Sequence, residues 1–429
     1  MLKKVYIGLL LVIFGGIVLH APLSVGFTAL FPDYELLIKS WKEILLGVAT
    51  LLLPILLTIH KRWNIFKEPL FLLIAGFALL NIVLIPIYFT GAESTLAGIL
   101  VNLRYLLFFV LVYVALALYP QHIRLFIKVG IIGAFVVLVF AILQLTILPN
   151  DFLKYIGYGE STIMPFLTVD QNDNFIRINS TLRGPNPLGA YAMVVLTLLL
   201  AFWLKGPKVM TKAQQVGMAI LGVGSIVALW ASYSRSAVLG VAIAAGLVLY
   251  STVGKKISKT VWVILAASAL LVGGSLFAFK DTTFVSNVIL HEDPSEGNDV
   301  NSNDGHAESL VDGTRRVLAQ PLGGGIGSTG SASLFTDMPL VIENQYLFIA
   351  HETGWMGLVL FIAITYLVLS ILWRQRKDWF ALGVFASGLG LALIGLIQPV
   401  WVDETVAIVW WGLAAIALAH SRNKTERLL

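Results

Sequence analysis

A run of roughly twenty apolar residues can satisfy its backbone inside hydrocarbon only as a helix, and such runs recur along the whole of this chain. No other feature narrows the possible folds as much. Composition agrees: hydrophobic residues fill 58% of 429 positions and charged residues only 12%, against roughly 25% charged in soluble domains. The chain therefore reads as an all-α polytopic membrane protein. Twelve spans are expected, near 5–22, 43–60, 69–89, 97–119, 125–148, 187–204, 214–232, 235–251, 259–280, 345–373, 380–399 and 404–420. The first resembles a signal peptide in its basic start but lacks a small-x-small cleavage site, so it reads as an uncleaved helix. The tenth exceeds what a bilayer requires, which predicts a tilted or external first portion. Three parts follow: a bundle of nine spans over 1–280, an external segment over 281–344 and a three-span bundle over 345–429.

The basic residues orient this map. With the N-terminus inside, the inner segments hold Lys3, Lys4, Lys61, Arg62, Lys67, Arg124, Lys205, Lys208, Lys212, Lys255, Lys256, Lys259, Arg374, Arg376, Lys377, Arg422, Lys424 and Arg427, as the positive-inside rule requires. Most acids fall on the outer side, including the cluster from Asp281 to Asp337 and the pair Asp403 and Glu404. Both termini are thus expected in the cytoplasm. The net charge of +5 reflects orientation and gives no reason to expect nucleic acid as a partner. The chain has no cysteine, which excludes disulfide and thiol chemistry.

Basic residues that break the rule are the informative ones. Arg177 and Arg183 precede a span whose start is bracketed by Pro185 and Pro187, with Asn186 between them. Proline suits the first turn of a helix, and a helix N-terminus favours an anion; the two arginines read either as anion ligands or as solvated loop cations. Arg235 lies in WASYSRSAVLG, where no real loop separates two spans, flanked by Ser232, Ser234 and Ser236. Its planar fork suits phosphate oxygens, or it snorkels from a tight, nearly buried hairpin. Arg104 falls inside the fourth span.

The longest polar interval lies between the ninth and tenth spans. Its acidic part, 291–304, reads as a mobile, solvated lid. Asp299, Asn301 and Asn303 alternate as in a calcium loop, but Asp304 stands where that loop needs glycine. DQNDN at 170–174 fails similarly, so no metal site is expected. From Gly305 onward, Leu310, Val317 and Leu318 fall at roughly helical intervals with His306, Arg315 and Arg316 among them, which predicts a helix along the membrane surface. PLGGGIG at 321–327 reads, as glycines alone, as a flexible turn back to the membrane. Glu343 opens the tenth span, either as a helix-terminal cap or as an acid or base near the arginines. His351 lies two turns deeper, as a supporting partner or a packed side chain.

Taken together, these segments resemble the O-antigen polymerase and ligase superfamily of membrane glycosyltransferases. RINSTLRGPN matches its pattern of arginine, a small residue three positions on, and Pro-Asn before a helix, through Arg177, Ser180, Pro185 and Asn186. SYSRS matches its serine-arginine hairpin through Arg235. GHAESLVDGTRRVLAQPLGGGIG matches its GH…P-L-G-x-G-x-G segment, and ENQYLFIAHETGWMG its closing motif through Asn344, Gly354 and Gly357. The resemblance spans 177–373. In the ligase branch the closing motif begins His-Asn; here Glu343 takes that place, as in the polymerase branch.

The resemblance implies a fold like that of GT-C glycosyltransferases in the bacterial cytoplasmic membrane, with its site on the outer face. The reaction it implies joins glycan repeat units carried on undecaprenyl diphosphate, without cofactor or metal. Arg177, Arg183 and Arg235 would hold the diphosphate. Glu343, or else His306, would serve the attacking hydroxyl, with Arg315, Arg316, Asn344 and His351 in support. Partners would be the lipid-linked donor and acceptor, membrane lipids and a chain-length regulator. A ligase passing finished glycan to another acceptor is the second reading. A transporter of lipid-linked glycan is the third, disfavoured because no internal repeat is visible and the unusual charges gather at one face.

Overall fold

A computed structural model describes residues 1–169, 172–254, 278, 282 and 302–426. All of the expected ninth span but residue 278, and the acidic stretch 291–301, lie outside the described residues. Twelve helices organise the rest: α1 (Leu2–Leu30), α2 (Trp41–His60), α3 (Pro69–Leu84), α4 (Ala92–Leu118), α5 (Ile123–Thr146), α6 (Pro185–Lys205), α7 (Lys212–Ala231), α8 (Arg235–Val253), α9 (Ser302–Ala319), α10 (Gln345–Arg374), α11 (Trp379–Ile394) and α12 (Glu404–Glu426). Among the described residues, nine helices are long and apolar enough to cross a membrane. Helices α3 and α11 are apolar but shorter. The chain is thus an all-α, multi-pass membrane protein, with one small addition that the apolar pattern did not predict. In the segment before α6, Leu167–Val169 (β1) and Asn172–Arg177 (β2) pair antiparallel, setting Leu167 opposite Arg177.

The bundle is held by side chains that exclude lipid from its centre. Helices α4 and α12 run through the middle, and Tyr105, Trp401, Trp410 and Trp411 form an aromatic cluster between them. Its ring centroids lie 5.5 Å apart for Tyr105 and Trp411 and 5.2 Å apart for Trp410 and Trp411. Large apolar side chains such as Leu51, Leu79, Trp203 and Tyr366 face outward. That much exposed apolar surface suits a hydrocarbon surround and would be a liability in water.

The long helix α10 is kinked ten residues from its start. Gly354 sits at φ 68° and ψ −175° within it. The glycine turn 321–327 fits against this break. Trp355 N–H donates to the Pro321 carbonyl at 3.0 Å, and Gly324 N–H to that of His351 at 2.5 Å. Further along the turn, a Cβ on Gly327 (φ 82°) would stand 2.0 Å from the Ser94 carbonyl oxygen on α4. The turn is therefore no flexible return: it is wedged between α4 and the kink. Backbone carbonyls approach where a side chain would stand, so glycine is required.

Candidate functional site

The site is built at the end of the bundle where α6, α8, α10 and α12 begin. Arg177 closes β2 and reaches across to the α7–α8 junction. Its Nε donates to the Ser232 carbonyl at 2.9 Å and its Nη2 to Asn186 Oδ1 at 2.6 Å. Ile178 N–H donates to the Ala231 carbonyl at 3.1 Å, so backbone joins the same two hairpins. Ser180 then turns with φ 51°, a left-handed conformation that disfavours large side chains. Its hydroxyl donates to the Val137 carbonyl at 2.6 Å, which fixes the chain before Pro185. The two prolines alter one expectation. Pro185 and Pro187 bring no N–H, so the start of α6 offers an anion fewer donors than an ordinary helix would.

Helix α9 brings in the second group. Ser309 and His306 lie one turn apart on one face. Ser309 Oγ accepts the Glu343 N–H at 3.0 Å, and His306 Nδ1 stands in contact with Glu343 Oε2. Glu343 is free for this because it is not the cap of α10. Asn344 is: its Oδ1 accepts the N–H groups of Tyr346 and Leu347 at 2.9 and 3.0 Å, and its Nδ2 donates to the Leu396 carbonyl at 2.8 Å. Gln345 Oε1 accepts the Trp401 N–H at 2.9 Å. These bonds hold the loop between α11 and α12 against Glu343.

A cavity of about 270 Å³ collects the result, lined among others by Asn186, His306, Glu343, Gln398, Asp403 and Val406. Asp403 is a functional candidate that the sequence reading passed over as one outer acid among many. Its Oδ1 accepts the Val406 N–H at 2.9 Å. Burial pushes its carboxyl up to about 6, against the pull of the Val406 N–H and of the Arg183 and Arg104 charges. Arg183, exposed at the surface, is thus within electrostatic reach of the cavity.

Other expectations are corrected. Arg235 is exposed at the start of α8, not nearly buried; the flanking serines are the buried residues of that hairpin. Arg316 is engaged by Asp312 one turn back on α9, at 2.6 Å, and holds that carboxyl below its usual range; Arg315 is exposed on the same helix. Neither lines the cavity. His351 is buried against the glycine turn, with its ring 3.1 Å from where a Cβ of Gly324 would stand, and does not line the cavity that holds Glu343. Its neighbour Glu352 is fully buried. It accepts from Asn102 Nδ2 at 2.7 Å and from Gly327 N–H at 3.0 Å. Among the described residues no group of acids or histidines is arranged to hold a metal.

An apolar cavity of about 570 Å³ opens farther down the same helices, lined in part by Phe14, Val194, Leu198, Phe202, Val409 and Leu413. On α6, Ala190 lines the polar cavity and Val194 and Leu198 the apolar one; on α12, Val406 lines the first and Val409 and Leu413 the second. These spacings keep one face of each helix along both cavities.

No curated protein matches the chain. Residues 219–362, roughly a third of the chain, match the family model described as O-antigen ligase. The match takes in Arg235, His306 and Glu343 but leaves Arg177, Arg183 and Asp403 outside it. Members of this family are membrane enzymes that process glycans. Over residues 219–362 the chain is similar to the O-antigen ligase family, which is consistent with the O-antigen polymerase and ligase superfamily.

Proposed function

We propose that the protein polymerises oligosaccharide repeat units carried on undecaprenyl diphosphate, at the outer face of a bacterial cytoplasmic membrane. One observation carries the reading. Four segments far apart in sequence bring Asn186 with its partner Arg177, His306, Glu343 and Asp403 to one small cavity. The reaction needs fixed positive charge for a leaving diphosphate and a group to take a proton from the attacking hydroxyl. Arg177, Arg183 and Arg235 supply the charge as permanent cations, without a metal. Glu343 takes the proton, with His306 holding one of its oxygens.

In the transfer, the acceptor hydroxyl loses its proton to Glu343 and its oxygen forms a bond to the anomeric carbon of the donor. The bond from that carbon to the diphosphate oxygen breaks. Undecaprenyl diphosphate leaves with the electron pair. The apolar cavity below offers room for part of a prenyl chain, reached along the shared faces of α6 and α12.

Glu343, where the ligase form of the motif has histidine, favours polymerisation. The description of the matching family favours the second reading, a ligase that passes finished glycan to another acceptor. Lipid-linked products in cells carrying only a variant separate the two. Arg235→Ala and Glu343→Gln should give normal amounts of inserted protein and leave single repeat units unpolymerised. Long chains retained on the lipid carrier would establish a ligase. Normal chain lengths in both variants would sink the mechanism. Glu343→His asks whether this position alone separates the two branches.

A further inference from the structure

Five titratable side chains that this reaction does not use meet behind the cavity wall. His20 comes from α1, Lys42 and Glu43 from α2, Arg104 from α4 and Glu404 from α12. Their side chains are only 5–15% exposed. Lys42 Nζ lies 3.0 Å from Glu404 Oε2 and 3.1 Å from Glu43 Oε2. Arg104 Nη1 lies 3.1 Å from Glu404 and 3.7 Å from Glu43. Trp41 Nε1–H donates to His20 Nδ1 at 3.0 Å. An indole nitrogen only donates, so His20 carries its ring hydrogen on Nε2, 2.6 Å from Glu404 Oε1. Lys42 Nζ is also 3.1 Å from that nitrogen; its hydrogens turn instead to the carboxylates and to the Lys39 carbonyl at 3.0 Å. Two cations therefore face two carboxylates.

Charge balance explains why the cluster is tolerated, but not what it holds. A buried ion network is seldom more stabilising than apolar packing of the same volume. What Arg104 holds is the turn ahead of α12. Its Nη2 donates to the Val402 carbonyl at 2.8 Å, while its Nη1 faces the Glu404 carboxylate. These two residues flank Asp403, whose side chain lines the cavity with His306 and Glu343.

We propose that Arg104 is a positioning residue that aims Asp403 into the cavity, where Asp403 accepts a hydrogen bond from a hydroxyl of the acceptor sugar. Lys42, His20 and Glu43 complete the clamp by fixing Glu404 and balancing its charge. The inference rests on the glycan-transfer reading above.

The test uses the full-length protein in vesicles with a lipid-linked repeat unit as substrate. Rates are compared for wild type, Arg104→Gln, Asp403→Asn and the double variant. Each single change should lower kcat by about tenfold or more, with the KM for donor held within about twofold, because Arg177 and Arg183 are untouched. The double variant should be no slower than Asp403→Asn alone, since residues acting as one unit are not additive. Losses that multiply, or full kcat in Asp403→Asn, overturn the proposal. Because Arg104→Gln leaves two carboxylates facing one lysine, the charge-balanced pair Glu43→Gln with Arg104→Gln is measured beside it and should show the same kcat loss; a folded pair with full kcat overturns the proposal. Arg104→Lys keeps the charge without the fork; it should restore folded yield but not rate, and full rate there also overturns the clamp. Wild-type protein that transfers no glycan removes the reading of the reaction and this proposal with it. Wild-type transfer with multiplying losses removes this proposal alone.

Discussion

Replacing Arg177 by lysine separates charge from geometry at the site. The arginine donates through Nε to the Ser232 carbonyl at 2.9 Å and through Nη2 to Asn186 at 2.6 Å. Lysine keeps the cation but has a single nitrogen on a flexible stem, which cannot reproduce a planar fork. A hydrogen bond from a charged donor contributes about 1.5–3 kcal/mol. A cation no longer held in place by these bonds, and so forfeiting one such bond to the developing diphosphate charge, would slow turnover by roughly 10- to 150-fold, at tenfold per 1.36 kcal/mol. Arg177 is partly exposed, and solvent screening places the effect at the lower end of that range. The same bonds join the β2 segment to the α7–α8 junction, so the thermal midpoint in detergent should fall as well. The assay is transfer between lipid-linked repeat units by purified protein, with rates normalised to folded material. Arg177→Lys turning over within about twofold of wild type would refute the idea that fork geometry matters here.

Three further outcomes are expected. Gly327→Ala should sharply reduce folded protein, because left-handed backbone costs a side chain about 1–2 kcal/mol before the contact with Ser94 is counted; Gly246→Ala, with open space around it, is the control for yield by fluorescence size exclusion. Asn344→Ala removes a helix cap and should cost about 1 kcal/mol, read as a lower thermal midpoint, with Asn344→Asp recovering most of it. The third concerns pH. Asp403 holds its proton up to about pH 6 in the fold, whereas an unperturbed aspartate releases it near 3.9. Between those values the folded state binds more protons than the unfolded one, so this group's contribution to stability falls as pH rises through the window. Glu404, Arg183, Arg104, His306 and Glu343 surround it, from α12, the segment before α6, α4, α9 and the α10 start. In Asp403→Asn the decline in thermal midpoint from about pH 4 to 6 should flatten; parallel curves for the two proteins would contradict the assignment.

Much of the site was legible because rare residue types stand out against an apolar background. Charge in a membrane chain is costly, and this singled out Arg177, Arg183, Arg235 and Arg104 before any contact was known, while Glu343 was marked by its place at the start of a span. What stayed hidden were partnerships across long separations. His306 and Glu343 were named separately, but they are in contact, and Ser309 presents its hydroxyl to the Glu343 amide. Asp403 looked like one acid among several. A usable signal existed, since Arg104 inside a span demands a counter-ion, and pursuing it through the outer carboxylates leads to Glu404 and hence to the residue beside it. Glu352, an acid inside α10, carried the same signal, but it did not name its partners, because Asn102 and the Gly327 amide are polar groups of ordinary type.

By itself, the sequence of this protein determined a helical bundle for a bilayer, because apolar runs of span length admit no other way to satisfy their backbone. It also determined that the unusual cations and the polar segment would draw attention together. Only the tertiary structure decided which of them share a cavity. It brought Glu343, His306 and Asp403 together, left Arg316 to Asp312 and turned His351 into packing. Hydropathy acts locally along the chain. A site of this kind depends on how helices begin, kink and cap against one another, and those contacts exist only once the bundle has closed.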